Sequence, residues 1–305
     1  MNKELRISVL IPTFNSEKSI IHTLATIFKQ SYKPFEVIVV DGASTDSTPK
    51  IIDAYGELIT SFISEPDKGQ LDAVQKGIQI ASGDILYWIN ADDAVMPGSF
   101  LRVAKAFAED PSVQVVYGDN YWFDEATRRF GVAHSVKRLT FWDQFLFYGQ
   151  IQVESFFWRR ELSEKALPFD TDLRVYTDYS FLLPVRYGAK CKWISSRLGA
   201  FRVSAGQMST IYRARGDAEK ELVKQRMRDR LGISIEEFNS LKRSHRVSYL
   251  IRHKLLPKVV SGLRFTGRKM SGDYLRNKLA KFFFDEWLKP PLEVERRLQE
   301  IKRSA

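Results

Sequence analysis

Short apolar runs that alternate with helical patterns constrain this chain more than any other feature. RISVLIP (6–12), EVIVVDG (36–42), SFIS (61–64), DILYWIN (84–90) and VQVVYGD (113–119) are rich in β-branched and apolar residues. Between them the spacing predicts helices near 17–31, 46–56, 69–81 and 97–109. In the helix over 69–81, Leu71, Val74, Ile78 and Ala81 recur at helical intervals. Strands apolar along nearly their whole length need cover on both faces. The pattern therefore predicts an α/β fold, a mostly parallel sheet with helices on both faces. Such sheets bind ligands beyond the carboxyl ends of their strands. Asp41, Glu65, Asp92, Asp93 and Asp119 all fall at or just past predicted strand ends. Helix capping rarely needs so many carboxylates on one rim.

Charge divides the chain. Residues 1–212 carry a formal balance of −2 and residues 213–305 one of +12, out of a net +10. The expected organisation is a domain over 1–212 and a basic helical region over 213–305. The domain divides into a ligand-binding half (1–120) and a second, aromatic-rich half (121–212). The basic region suits either an anionic membrane surface or a packed helical appendage with solvated charges. No recognition motif accompanies the charge, so no nucleic-acid partner is expected. The single cysteine, Cys191, fits a reducing compartment. The start, MNKELRISVLIPTFN, lacks the pattern of a signal peptide, and no run approaches the ~20 apolar residues of a membrane span. The expectation is a cytoplasmic protein, peripheral at a membrane if it meets one.

Three stretches carry candidate chemistry. NADD (90–93) ends an apolar strand on adjacent carboxylates, which ionise together comfortably only beside a cation. Mn²⁺ or Mg²⁺ suits such oxygens, and a helix cap is the competing reading. VVDGASTDST (39–48) places Asp41 where a ring N–H or a ribose hydroxyl would be read. EPDKGQLDAVQKG (65–77) sets Asp67, Lys68 and Asp72 around a glycine turn.

These stretches, with SVLIPTFNSEKSI and MPGSF in order, resemble the family 2 glycosyltransferases of GT-A fold, strongly over about 7–120 and more loosely to about 212. The resemblance implies an inverting, metal-dependent transfer of one sugar from a nucleotide-sugar donor, UDP-linked by default. It places Pro12, Phe14 and Asn15 in the first nucleotide-contacting loop. Asp41 falls in the motif that reads base or ribose, and Asp67, Lys68 and Asp72 in the loop over the nucleotide. Asn90, Ala91 and Asp92 fall beside the nucleotide, and Asp92 and Asp93 in the metal motif. Two positions depart from the family pattern. Gly42 stands where a second Asp is common, and Asn90 where Asp is common.

An inverting transfer needs a general base. By resemblance, the Phe169-Asp170 turn followed by Thr177-Asp178-Tyr179 makes Asp178 that base, with a helix cap as its competing role. Arg202 matches an arginine that approaches the diphosphate, with a structural salt bridge as the alternative. Gln207 and Ser209 either reach the metal or close the turn. Gln152, Glu154 and Trp158 are candidates for acceptor contacts. His22, His134, His245 and His253 show no pairing pattern and read as incidental. The acceptor expected is a saccharide or lipid-linked saccharide in polysaccharide or glycoconjugate biosynthesis. A catalytically silent nucleotide-sugar-binding scaffold is the alternative. Retention of Asp92, Asp93 and Asp178 together argues against it.

Overall fold

Strand β1 (Ile7–Thr13) is buried along its whole length, as are β2 (Glu36–Asp41) and β4 (Ile85–Trp88). Their side chains alternate between two cores. Ile7, Val9, Ile11, Val37, Val39, Ile85 and Tyr87 enter one cluster; Leu10, Ile38, Val40, Leu86 and Trp88 enter the other. Two separate apolar layers explain why the sequence shows near-continuous apolar runs here. The computed structural model describes residues 4–132, 139–148, 151–204, 213–250 and 280–304.

On the first face lie α1 (Ile20–Phe28), α2 (Thr48–Tyr55) and α4 (Ser99–Glu109). On the second lie α3 (Gln70–Ile80) and α7 (Thr177–Arg186). The remaining strands are β3 (Ser61–Ser64), β5 (Ala94–Val95), β6 (Val115–Asp124), β7 (Arg129–Val132), β8 (Phe156–Arg159) and β9 (Cys191–Arg202). They join one nine-stranded sheet of order β3-β2-β1-β4-β8-β6-β9-β5, with β7 on β6. β3, β2, β1 and β4 are mutually parallel, and so are β6 and β9. Antiparallel β8 is wedged between β4 and β6. Two short helices, α5 (Phe141–Phe147) and α6 (Ser163–Ala166), flank β8 in the chain. Most expected elements fall within a few residues of their predicted bounds. β6 runs five residues beyond expectation, so Asp119 sits inside a strand, bonded to the Trp193 indole at 3.2 Å, not at the rim.

The described residues beyond 212 pack on both halves. Helix α8 (Arg213–Leu231) sends Val223 and Met227 against Phe145, Tyr179 and Leu183, with Phe238 of α9 (Ile235–Leu250) beside them. A π-helical turn, Phe283–Trp287, fills a third cluster with Ala94, Met96, Phe123, Phe130 and Ala200. Helix α10 (Leu292–Ser304) adds Val294 to the first core. Most of the remaining basic run, 251–279, lies outside the described residues. No described helix is long and apolar enough to cross a membrane.

Candidate active site

The carboxyl edge of β3-β2-β1-β4 gathers the residues the sequence singles out. Asp41 ends β2, fully buried. Its carboxylate accepts from the Ser44 N–H at 3.0 Å, from Ser64 Oγ at 2.7 Å and from the Ser44 hydroxyl. Asn15, at φ 47°, donates its N–H to Ser44 Oγ at 2.7 Å and accepts from the Thr45 N–H at 2.9 Å. The loops after β1 and β2 are thus one hydrogen-bonded unit. Phe14 stands out from it, 60% exposed, while Pro12 stays buried in β1. A Cβ on Gly42 would lie 2.8 Å from Asp67 Oδ2. The Asp67 carboxylate therefore fills the space a side chain at 42 would take. Its Oδ1 accepts from the Gly69 N–H at 2.8 Å, and desolvation pushes its pKa up. Exposed Lys68 donates its N–H to Asp72 Oδ2 at 3.1 Å.

At the end of β4 the structure separates two adjacent carboxylates. Asp93 is 1% exposed. Its Oδ1 accepts from the Arg202 N–H at 2.9 Å and its Oδ2 from Asn90 Nδ2 at 3.1 Å. Burial, with Asp92 beside it, pushes its pKa well above the usual carboxylate range. Asp93 braces the turn from within. Asp92 is half-buried, and among the described residues no other residue donates a hydrogen bond to its carboxylate. Burial raises its pKa too, while the Arg202 charge opposes the rise. Ala91 is buried between Asn90 and this pair.

Asn90 has a chemical reason to be Asn. Its Oδ1 accepts from Gln70 Nε2 at 2.9 Å and from Trp88 Nε1 at 3.0 Å, while its Nδ2 serves Asp93. An aspartate could accept both bonds but could not donate the third. A divalent ion fits what remains. Mg²⁺ characteristically takes one or two carboxylates plus phosphate oxygens and waters. Asp92 offers one such ligand, and among the described residues no group of three His, Cys, Asp or Glu forms an all-protein cage.

Arg202 is buried and serves this turn. Its Nε donates to the Asp92 carbonyl at 2.7 Å, its guanidinium lies 4.9 Å from the Phe123 ring centroid, and Nη1 pairs with Glu125. Glu125 also meets His22 Nε2 at 3.3 Å, and His22 Nδ1 bonds the Leu288 carbonyl at 2.9 Å. His22 is therefore not incidental. Gln207 and Ser209, like His134 and His253, lie outside the described residues.

Asp178 opens α7, half-buried. Its Oδ1 accepts from the Tyr179 N–H at 2.7 Å, and burial raises its pKa to about 6. Glu154 sits on a 3₁₀ turn, Val153–Ser155, 1% exposed, and accepts from Asn120 Nδ2 at 2.7 Å. Burial first, then the charges of Asp178 and Asp92, push it up to about 8. Asp92 and Asp178 are thus near enough to Glu154 for their charges to act on it. Gln152 is half-buried and its carbonyl closes the same turn, accepting from the Ser155 N–H at 3.1 Å. Trp158 corrects the sequence reading. It is fully buried, donates Nε1 to Ser163 Oγ at 2.9 Å and packs edge-on against Phe181. It is core and presents no face to an acceptor.

Sequence reasoning missed Gln70, Glu125 and His22. The GQ pair at a helix start was a signal for Gln70; the other two had none, because their partners are distant in the chain.

The sheet order and acidic rim define an α/β protein of the GT-A class. The family model for glycosyl transferase family 2 matches residues 8–165. A Mycobacterium bovis protein described as a PGL/p-HBAD biosynthesis glycosyltransferase is 31% identical over 178 residues, 57% of this chain and 67% of that one. A Bacillus subtilis protein, the uncharacterized glycosyltransferase YwdF, is 27% identical over 59% of this chain and 67% of its own length. Among solved structures, S. aureus TarS with UDP-GlcNAc gives a TM-score of 0.57 at 22% identity, covering 68% of this chain and 61% of that longer one. The mannosyltransferase PcManGT of Pyrobaculum calidifontis, with GDP-Man and Mn²⁺, gives 0.57 at 18% identity over 98% of this chain and 87% of that one. These structures share the fold. The chain belongs to glycosyl transferase family 2 and is a glycosyltransferase.

Proposed function

We propose that this enzyme transfers a single sugar, with inversion, from a nucleoside diphosphate sugar to a saccharide or lipid-linked saccharide. The two carboxylates Asp92 and Asp178 carry the reading: the Asn90–Gln70–Thr177 hydrogen bonds tie the turn of the first to the helix start of the second. With its carboxyl near 6, Asp178 is ionised at neutral pH yet basic enough to accept a proton. It takes the acceptor hydroxyl proton as that oxygen bonds the anomeric carbon and the bond to the diphosphate breaks. Glu154, buried and held by Asn120 Nδ2 at 2.7 Å, supports the site from within. Mn²⁺ or Mg²⁺ held by Asp92 would offset the charge that develops on the leaving diphosphate. The Asn15–Ser44–Asp41 unit, with Asp67 over Gly42, cradles base and ribose. Phe14, Lys68 and Asp72 border that cradle. Arg202 and Asp93 act by shaping the Asp92 turn.

Uridine as the base has the support of the TarS structure with UDP-GlcNAc, and metal use that of PcManGT with Mn²⁺. A role in glycoconjugate biosynthesis has the support of the mycobacterial relative's description. Exposed Lys242, Arg243, Arg246 and Val247 on α9 support a peripheral contact with anionic lipid. The test is calorimetric titration of UDP, GDP, dTDP and CDP with and without Mn²⁺, on the parent and on Asp92→Asn. Metal-dependent binding of one nucleotide, lost in the variant, is the expected outcome. Folded parent protein that binds none of them overturns the reading.

A further inference from the structure

Gln70 stands at a junction that neither the motif nor the chemistry above assigns. It is the first residue of α3, directly after Gly69. Gly69 adopts φ 122°, and a Cβ there would come within 2.6 Å of Arg174 Nη1. Two hydrogen bonds hold the Gln70 side chain. Its Nε2 donates to Asn90 Oδ1 at 2.9 Å, and its Oε1 accepts from Thr177 Oγ1 at 2.5 Å.

The direction of these bonds is forced. Trp88 Nε1 can only donate, so Asn90 turns its oxygen toward it and its amide nitrogen toward Asp93. That oxygen also faces Gln70, so Gln70 presents its nitrogen there and its oxygen to Thr177. One amide thus spans three elements: the loop around Asp67 and Lys68, the turn that carries Asp92, and the start of α7. Thr177 immediately precedes Asp178. A second tie runs parallel, from Arg174 Nη1 to the Lys68 carbonyl at 3.0 Å.

We propose that Gln70 is a positioning residue that couples the nucleotide-binding loop to the general base, through its bonds to Asn90 and Thr177. Gln70 touches no reacting atom. It sets the distance between the donor edge of the site and Asp178. The inference rests on the transfer reading given above.

The experiment compares Gln70→Leu, Thr177→Val and the double variant with the parent. UDP and GDP binding are titrated with Mn²⁺, and steady-state hydrolysis of UDP-GlcNAc and GDP-mannose is measured by release of the diphosphate. In each single variant kcat is expected to fall at least about tenfold, while KM and the nucleotide Kd stay within about threefold. The double variant is expected to lose no more than the worse single one, because both remove the same link. Thr177→Val keeps the size of the residue it replaces, so it carries the test where Gln70→Leu does not fold. Equal losses in binding and turnover, multiplied effects in the double variant, or unchanged kcat would each overturn the coupling. A parent protein that binds none of UDP, GDP, dTDP and CDP overturns the transfer reading itself, which separates the two failures.

Discussion

Gly42 and Asp67 share one side chain's worth of space. An aspartate at 42 would bring its Cβ within 2.8 Å of Asp67 Oδ2 and a second carboxylate beside the first, a clash that is both steric and repulsive. The expected result is that Gly42→Asp weakens nucleotide binding, Asp67→Gly weakens it too, and the double swap recovers most of the loss by titration. Two losses that simply add would show that the shared space is irrelevant. The pair Asp178 and Glu154 gives a pH prediction. Transfer by Asp178 should rise as pH climbs through about 6, and Asp178→Asn should abolish turnover while sparing nucleotide affinity. Glu154 is held at about 8, above its ordinary value of 4.5, so the folded chain binds a proton that the unfolded chain releases across that window. Its contribution to stability falls as pH rises from about 4.5 to 8. Glu154→Gln should therefore gain stability relative to the parent at pH 8 over pH 5, measured by urea melts at both values. Residue identities were largely legible: the acids at strand ends announced a site. Which acid faces outward was not. Asp92 and Asp93 look alike in sequence, and the inward one is set by Asn90 Nδ2 together with the backbone N–H of Arg202, 109 positions away.

The base helix depends on a partner element. α7 begins without a side-chain cap of its own. Its first backbone donors lie beside the loop 174–176, whose N–H groups converge on Glu219 of α8 at 3.1, 2.8 and 3.3 Å. A carboxylate there also favours the positive end of the helix dipole. Arg226, seven residues further along α8, pairs with Asp170 at 3.0 Å and with Asp172 at 2.8 Å. Glu219→Ala should leave three donors unpaired, lower stability by about 1–3 kcal/mol, and reduce turnover more than nucleotide affinity. A thermal melt with steady-state kinetics checks both. Elements of the first half were readable because each strand and helix declares its own period. The role of α8 was not readable, because its few apolar residues, Leu222, Val223, Met227 and Leu231, sit among charges and form no stripe that would predict where it docks.

At the scale of the molecule, the chain closes on itself near the acidic turn. Trp287 is 8% exposed and donates Nε1 to the Val95 carbonyl at 2.7 Å. Val95 belongs to β5, two residues past Asp93, and pairs with Gly199 of β9. β9 ends on Arg202, which holds the Asp92 carbonyl and, through Glu125 and His22, reaches the Leu288 carbonyl. Residues 283–288 thus reach the turn along two polar routes, one through Trp287 and one through Leu288. The sequence left a packed helical appendage and a membrane surface both open for this region; in the structure Phe283 and Phe284 bury their rings against Phe123 and Phe130, with Trp287 in the same cluster. Net charge reports on solvated side chains and is silent about the apolar ones between them. Trp287→Ala should cost about 3–5 kcal/mol by the cavity it leaves, with the Val95 carbonyl losing its donor. The urea midpoint should fall with little change in slope, and Mn²⁺-dependent nucleotide binding should weaken because the Asp92 turn loses one of its two supports. A variant that melts as the parent does would show that this turn does not contribute to the folded domain. One that is destabilised yet binds nucleotide at full strength would confine its role to packing.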